Sequence, residues 1–311
     1  MHLVDLRQLN SRQLSPLLDE ESRVWREELH WDYRVSIELI KKFLESHSLA
    51  GFAAIEQNSA TGYGFYVIEE HKGLLGDLFV SPAHSQVEVG ELLLREIVEA
   101  LRAIPFLQRI EAQLMPFGSR LGDALSALGF SLYPRQFMVK NLTEAESSGP
   151  SSTPSFKIDG WDERYLSPCA DLIHRAYAEH VDGEINDQYR SREGAMKFLK
   201  NIVLLPGCGQ FEQRASFVLY EPMTARLAGV VLTSLVAKGV GHTTQLCVLP
   251  EYRGLGLGKR LMHASMDALR RMRASELSLT VTSNNANAVE LYDNLGFRTL
   301  KGFLAGVWSA A

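Results

Sequence analysis

The stretch LCVLPEYRGLGLGKRLMHASMDALR, residues 246–270, repeats in outline an earlier one, LFVSPAHSQVEVGELLLREIVEALR, residues 78–102. Each is a short apolar run, a proline turn and a long segment with apolar residues at helical spacing. Pro82 lines up with Pro250, and Gly90 with Gly258, at an offset of 168. Farther on, Leu128-Gly129-Phe130 matches Leu295-Gly296-Phe297 at an offset of 167. One single-residue gap reconciles the two, so the chain reads as a duplication.

Working outward, both halves show one order of elements. The first predicts helix over 11–45, strands over 49–55, 64–68 and 75–80, a helix over 89–103 and a strand over 109–114. The second predicts helices near 168–179 and 192–205, strands over 216–220, 227–236 and 243–249, a helix over 258–273, a strand over 277–282 and a helix over 286–294. Between them, NLTEAESSGPSSTPS has almost no large apolar residue and reads as a linker. The expected domains are therefore 1–140, a linker at 141–155, and 156–311. The expected fold class is α/β (α+β): two tandem copies, each a mixed, mostly antiparallel central sheet flanked by helices.

Bulk properties narrow the function. The chain has 311 residues, is 46% hydrophobic and carries a net charge of −5, which argues against a nucleic-acid surface. Cys169, Cys208 and Cys247 are too widely spaced for a zinc or disulfide framework, so no metal is expected and a reducing, cytoplasmic setting is. No apolar run approaches the ~18 residues of a membrane helix, so no membrane partner is expected either.

The chemistry centres on Arg253-Gly254-Leu255-Gly256-Leu257-Gly258-Lys259-Arg260, set between a strand end and a helix start. Glycines let backbone approach a ligand, and successive N–H groups feeding a helix N-terminus make an anion cradle. A pyrophosphate fits it, with Arg253, Lys259 and Arg260 adding positive charge. A Walker loop fails because Arg253 stands where its first glycine belongs, and a dinucleotide fingerprint fails because Leu261 stands where its last one belongs.

These residues resemble the GNAT superfamily of N-acetyltransferases. Its loop pattern appears as Arg253-x-x-Gly256-x-Gly258. A second pattern follows: Asn285-x-x-Ala288-x-x-Leu291-Tyr292-x-x-x-Gly296-Phe297. The likeness is strong over 156–311 and weak in the first half. It implies acetyl-CoA as cosubstrate and two strands that splay to admit its pantetheine arm. Leu246, Cys247 and Val248 would pair with that arm and stabilise charge on the thioester oxygen. Gly254, Leu255, Gly256, Leu257, Gly258 and Lys259 would hold the pyrophosphate. Asn285 and Ala288 would line the cofactor from the second motif, and Tyr292 would protonate the leaving thiolate. His242, four residues before Leu246, is the candidate base. Asp182, Glu184 and Asp187 are candidates for attracting a cationic acceptor.

In the first copy Ser85, Gln86 and Glu88 replace Arg253, Gly254 and Gly256, and Leu125 replaces Tyr292. That copy is expected to keep the fold without the cofactor. The architecture is similar to tandem GNAT proteins such as mycothiol synthases, with the acceptor left open. The favoured function is acetyl transfer to the amine of a small molecule by direct attack in a ternary complex, in a monomer or homodimer. The alternatives are a peptide or protein N-terminal acetyltransferase and a non-catalytic acyl-CoA-binding regulatory module.

Overall fold

Residues 1–144, 156–205 and 209–310 are described by the computed structural model, and they divide into two units. The first unit is Met1–Arg135 with the chain from Lys301 onward; the second is Gln136–Leu300.

The first unit runs β1 (His2–Asp5), α1 (Ser11–Leu29), α2 (Arg34–Glu45), β2 (Gly51–Glu56), β3 (Ser59–Glu69), β4 (Lys72–Val80), α3 (Gln86–Arg102), β5 (Arg109–Gln113) and α4 (Gly122–Ala127). Helix α1 starts where Asn10 and Gln13 each accept the other's backbone N–H, a reciprocal cap worth about 1 kcal/mol. It stops where His30 turns left-handed at φ 55°. Strand β6 (Ser131–Asn141) then leads into the second unit.

That unit runs β7 (Lys157–Gly160), α5 (Leu166–Ala176), α6 (Val181–Ile185), α7 (Arg192–Leu204), β8 (Gln210–Phe211), β9 (Phe217–Glu221), β10 (Arg226–Ala237), β11 (Val240–Val248), α8 (Leu257–Arg271), β12 (Glu276–Thr282) and α9 (Ala286–Asn294). Strand β13 (Arg298–Ser309) follows, and its residues Ala305 to Ser309 pair antiparallel with Gln113 to Arg109 of β5. In the second unit β7, β9, β10 and β11 form an antiparallel series, and only β12 joins β11 in parallel. Leu261, Met262 and Leu269 of α8 are buried with Leu277 and Leu279 on one side of this sheet. On the other, Leu172 and Ile173 of α5 and Leu199 of α7 cover Val218, Val230 and Leu232. Each such fully buried leucine contributes roughly 1.5–3 kcal/mol, so the sheet is clamped from both faces.

The repeat is visible in the hydrogen-bond ladder. Parallel pairing runs from Lys72↔Arg109 to Leu75↔Ala112 in the first unit and from Val240↔Glu276 to Thr243↔Leu279 in the second. In each, one residue of the inner strand is skipped where that pairing ends: Gly76 opposite β3 and Thr244 opposite β10. These positions are again 168 apart.

The expected boundaries need revision. The division falls at 135/136 rather than after 140, and residues from Lys301 onward join the first unit instead of closing the second. The cause is backbone pairing: β13 supplies the antiparallel neighbour that β5 lacks on its outer edge. Strands β6 and β13 follow the two Gly-Phe pairs and escaped the pattern analysis. Pro134 and the glycines 302 and 306 interrupt their alternation. The linker expected at 141–155 falls largely on 145–155, outside the described residues, as does Cys208.

Candidate active site

The site begins where the sheet opens. Strand β11 loses β12 after Thr243 but keeps β10 as far as Val248. Leu246, Cys247 and Val248 therefore have a strand neighbour on one edge and an opening on the other. An edge of this kind offers backbone N–H and C=O groups to an extended ligand.

The chain leaves β11 through Pro250–Tyr252 and turns at Gly254 (φ 78°) and Gly256 (φ 71°). Any other residue type would cost about 1–2 kcal/mol in this left-handed region. A Cβ at either position would meet no protein atom within 4 Å, so the glycines leave space open rather than relieve a clash. Gly256 is the N-cap of α8 and makes no side-chain cap. The first N–H groups of the helix thus point out with the positive end of its dipole behind them. Arg253 is committed elsewhere: its guanidinium donates to the carbonyls of Ala176 (2.6 Å) and Val248 (3.3 Å), tying the loop to the end of α5. Arg260 likewise donates to the carbonyl of Phe156 at 3.1 Å. Leu255 faces solvent.

These elements wall a cleft of about 530 Å³. It is lined by Gly254, Gly256, Leu257, Gly258 and Lys259 of the glycine turn and start of α8, by Leu246, Cys247 and Val248 of β11, by Asn285, Ala288 and Tyr292 at α9, and by Tyr177 and His180. Every cofactor-contact candidate from the sequence except Leu255 lines it. Tyr292 is buried on α9 with its ring edge-on to Phe297, centroids 5.8 Å apart. Burial, reinforced by Asp182 and Cys247, raises its pKa well above 10, so it holds its proton at neutral pH. Burial also pushes the Cys247 thiol up to about 12, leaving it an inert wall.

The candidate base is placed differently from expectation. His242 is buried opposite Ser278, with Nδ1 2.9 Å from the Ser278 hydroxyl and its ring stacked on Phe137. It does not line the cleft. His180 does, and sequence reasoning passed it over in favour of the carboxylates beside it. Its side chain is 21% exposed. Burial lowers its pKa below 6.5; Asp182 opposes this and Arg253 adds to it, so the ring is neutral at pH 7. Asp182 lies against it, Oδ2 3.7 Å from Nδ1, and accepts the Thr282 hydroxyl. The other two acidic candidates sit apart. Glu184 is exposed and paired with Arg190 at 2.6 Å, and Asp187 starts a short helical turn over Asp187–Arg190; neither lines the cleft.

Behind His180, Tyr177 and Tyr189 stack at 4.2 Å. Gln245 bridges them, donating to the Tyr177 hydroxyl at 2.9 Å and accepting from the Tyr189 hydroxyl at 3.1 Å. The Tyr177 hydroxyl in turn donates to the Leu246 carbonyl. The network fixes the floor of the cleft. An aromatic pair spaced 12 residues apart has no sequence signature, so these residues were not foreseen.

In the first unit the corresponding space is filled. Helix α3 starts at Gln86, one turn earlier than α8 in the repeat frame, so the turn matching Gly254–Gly256 is helical and the Val89 N–H bonds to Ser85. Gln86 donates to the Val80 carbonyl at 3.1 Å and accepts from Arg120. Phe117 and Leu121 are both buried, and the Phe117 ring is 2.8 Å from where a Cβ on Gly90 would stand. Leu121 occupies the position that Ala288 holds in the second unit.

Comparison with known proteins agrees with this geometry. Residues 187–297 match the Acetyltransferase (GNAT) family. The chain is 42% identical over 71 residues to an N-alpha-acetyltransferase of Sulfurisphaera tokodaii, covering 22% of this chain and 41% of that protein. It is 27% identical over 250 residues to a mycothiol acetyltransferase of Renibacterium salmoninarum, covering 75% of this chain and 68% of that protein. It therefore spans less than half the length of the former. Among solved structures, a tandem GNAT protein from the clavulanic acid biosynthesis pathway superimposes with TM-score 0.60 at 14% identity, covering 100% of this chain and 98% of that one. A GCN5-related N-acetyltransferase from Sphaerobacter thermophilus gives 0.67 at 11%, covering 99% and 95%. At these identities the two structures speak to the fold.

Proposed function

We propose that the chain acts as a GNAT-type acetyltransferase and transfers the acetyl group of acetyl-CoA to the amine of a small molecule, directly and within one ternary complex, in the cleft of the second unit. One observation carries this reading: the open edge of β11 at Leu246–Val248 lines a single cleft together with the glycine turn that starts α8 and the buried Tyr292. A pyrophosphate at the glycine turn, a pantetheine arm along the edge and a thioester beside Tyr292 suit this lining.

In the reaction the amine nitrogen forms a bond to the thioester carbon while the carbon–sulfur bond breaks. Backbone N–H groups of the β11 edge stabilise charge on the carbonyl oxygen. Tyr292 gives its proton to the departing thiolate, and the proton lost by the amine goes to His180, whose cation Asp182 stabilises. Holding both reactants in one cleft supplies much of the acceleration. Gln86, Phe117 and Leu121 occupy the equivalent space in the first unit, so one cofactor binds per chain. Two buried thiols, Cys169 and Cys247, suit a reducing compartment such as the cytoplasm.

A peptide N-terminus is the second reading, favoured by the 42% identity to an N-alpha-acetyltransferase across 71 residues. Thiol release measured over free amino acids, amino-acid–sugar conjugates and short peptides separates the two. Turnover confined to peptides would replace the small-molecule reading. No thiol release with any amine, despite acetyl-CoA binding, would remove the transfer step.

A further inference from the structure

His180 stands between two helix starts. Its Nδ1 is 3.1 Å from the backbone N–H of Asp182, which it caps as the N-cap residue of α6. Its Nε2 is 3.2 Å from the side-chain amide nitrogen of Asn285, the N-cap residue of α9. The Asn285 oxygen accepts the Ala288 N–H at 3.3 Å. Both ring nitrogens therefore face N–H donors, yet a neutral imidazole has one lone pair to offer and one proton to place. The two contacts cannot both be hydrogen bonds at once.

Two arrangements resolve the conflict. In the first, Nδ1 accepts the Asp182 N–H and the ring proton sits on Nε2; Asn285 turns its oxygen toward that proton and gives up its cap on α9. In the second, Nε2 keeps its lone pair and the proton sits on Nδ1, facing the Asp182 carboxylate 3.7 Å away. Asn285 then stays on the Ala288 N–H. Only the second leaves a lone pair on Nε2, the nitrogen that faces Asn285. The charged groups that act on the ring are Asp182 on α6 and Arg253 on the glycine turn, with the Tyr177 ring edge-on to it at 5.3 Å.

We propose that His180 is a tautomer switch and Asn285 its positioning residue, so that filling the cleft at the start of α9 converts the ring from a proton donor to a proton acceptor at Nε2. In the empty enzyme the Asp182 N–H is backbone and cannot turn away, which favours the proton on Nε2. Asn285 and Ala288 both line the cleft. A ligand packed there holds Asn285 on the Ala288 N–H and so takes the acceptor from Nε2; the ring proton then moves to Nδ1 beside the Asp182 carboxylate, and the Asp182 N–H gives up its contact with that nitrogen. Binding against Asn285 and Ala288 thus prepares the base beside them. This rests on the reading of the cleft as the acetyl-CoA site and of His180 as the base.

The test is nitrogen-15 NMR of the histidine rings in the full chain, with and without saturating CoA. The His180 signals are assigned by their loss in His180→Gln. The expected result at pH 7.5 (about one unit above the ordinary histidine pKa) is an unprotonated Nδ1 in the empty enzyme and an unprotonated Nε2 with CoA. In Asn285→Ala, CoA at saturation should no longer change which nitrogen carries the proton. The same tautomer in empty and CoA-bound wild type, or an undiminished switch in Asn285→Ala, would overturn the proposal. A switch that occurs while His180→Gln keeps the wild-type transfer rate would leave the linkage standing and remove His180 as the base. Absence of CoA binding to the wild type would instead defeat the reading of the cleft.

Discussion

Replacing Gly256 by alanine separates the glycine turn's ligand role from its part in the fold. The residue sits at φ 71°, and an added Cβ would touch no protein atom within 4 Å. The whole cost to folding is therefore the backbone term, about 1–2 kcal/mol. For a unit of this size that is a fall in Tm of roughly 2–8 °C. The effect on ligand is separate. Either the turn keeps its shape and the methyl group stands in the cradle, or it relaxes and moves its N–H groups off the phosphates. Loss of one charge-assisted hydrogen bond of about 1.5–3 kcal/mol weakens CoA by roughly 10- to 100-fold. Gly239→Ala is the control: φ is 77°, the nearest atom to a new Cβ is 3.8 Å away, and the residue does not line the cleft. It should lose the same Tm and bind CoA as the wild type does. Calorimetric titration and thermal melts of both variants make the comparison. Equal CoA affinity in Gly256→Ala and wild type would refute the placement of the pyrophosphate.

Three further outcomes follow from the same geometry. Tyr292→Phe keeps the ring against Phe297 and removes the acid, so kcat should fall by about 10²-fold or more with little change in acetyl-CoA affinity, as read by steady-state kinetics beside titration. His180 must be neutral to accept a proton, and burial lowers its pKa; kcat/KM should therefore hold through neutral pH and fall below the ordinary histidine value near 6.5, a limb that His180→Gln abolishes. In the first unit, Glu21 and Asp77 are buried together, with Tyr63 donating to Glu21 at 2.6 Å and Tyr33 donating to Asp77. Burial, with Asp77 adding to it, raises the Glu21 pKa, so the folded state holds a proton that the unfolded chain has released. Stability should fall as pH rises from about 4.3, the ordinary glutamate value, through the raised value. Glu21→Gln should flatten that slope in melts across pH.

What the sequence disclosed tracks how local each feature is. The glycine turn and the proline before it are fixed by short-range backbone demands, and each was legible; Asn285 was legible through its place in the second motif rather than as the cap of α9. The repeat made the fold class legible twice, and Ser85, Gln86 and Glu88 in place of Arg253, Gly254 and Gly256 marked the altered loop of the first copy; that Leu121 stands in the position of Ala288 emerged only with the structure. The proposed base was not legible, because what separates His242 from His180 is the tertiary surroundings of each ring. One lies against Phe137 and Ser278, the other at a helix start beside Asn285, 105 residues away in sequence. The limits of the units were misjudged for a related reason. Strand β13 follows the second Gly-Phe pair in sequence but takes its antiparallel partner from β5, nearly 200 residues earlier, and local pattern carries no trace of that choice.

The central claim is that a single acetyl-CoA binds each chain, in the cleft where Ala288 leaves room. Calorimetric titration of acetyl-CoA into the wild type and into Ala288→Leu tests it most directly. The account predicts one site per chain in the wild type and its loss in Ala288→Leu, which copies Leu121. Two sites per chain, or undiminished binding in Ala288→Leu, would contradict it.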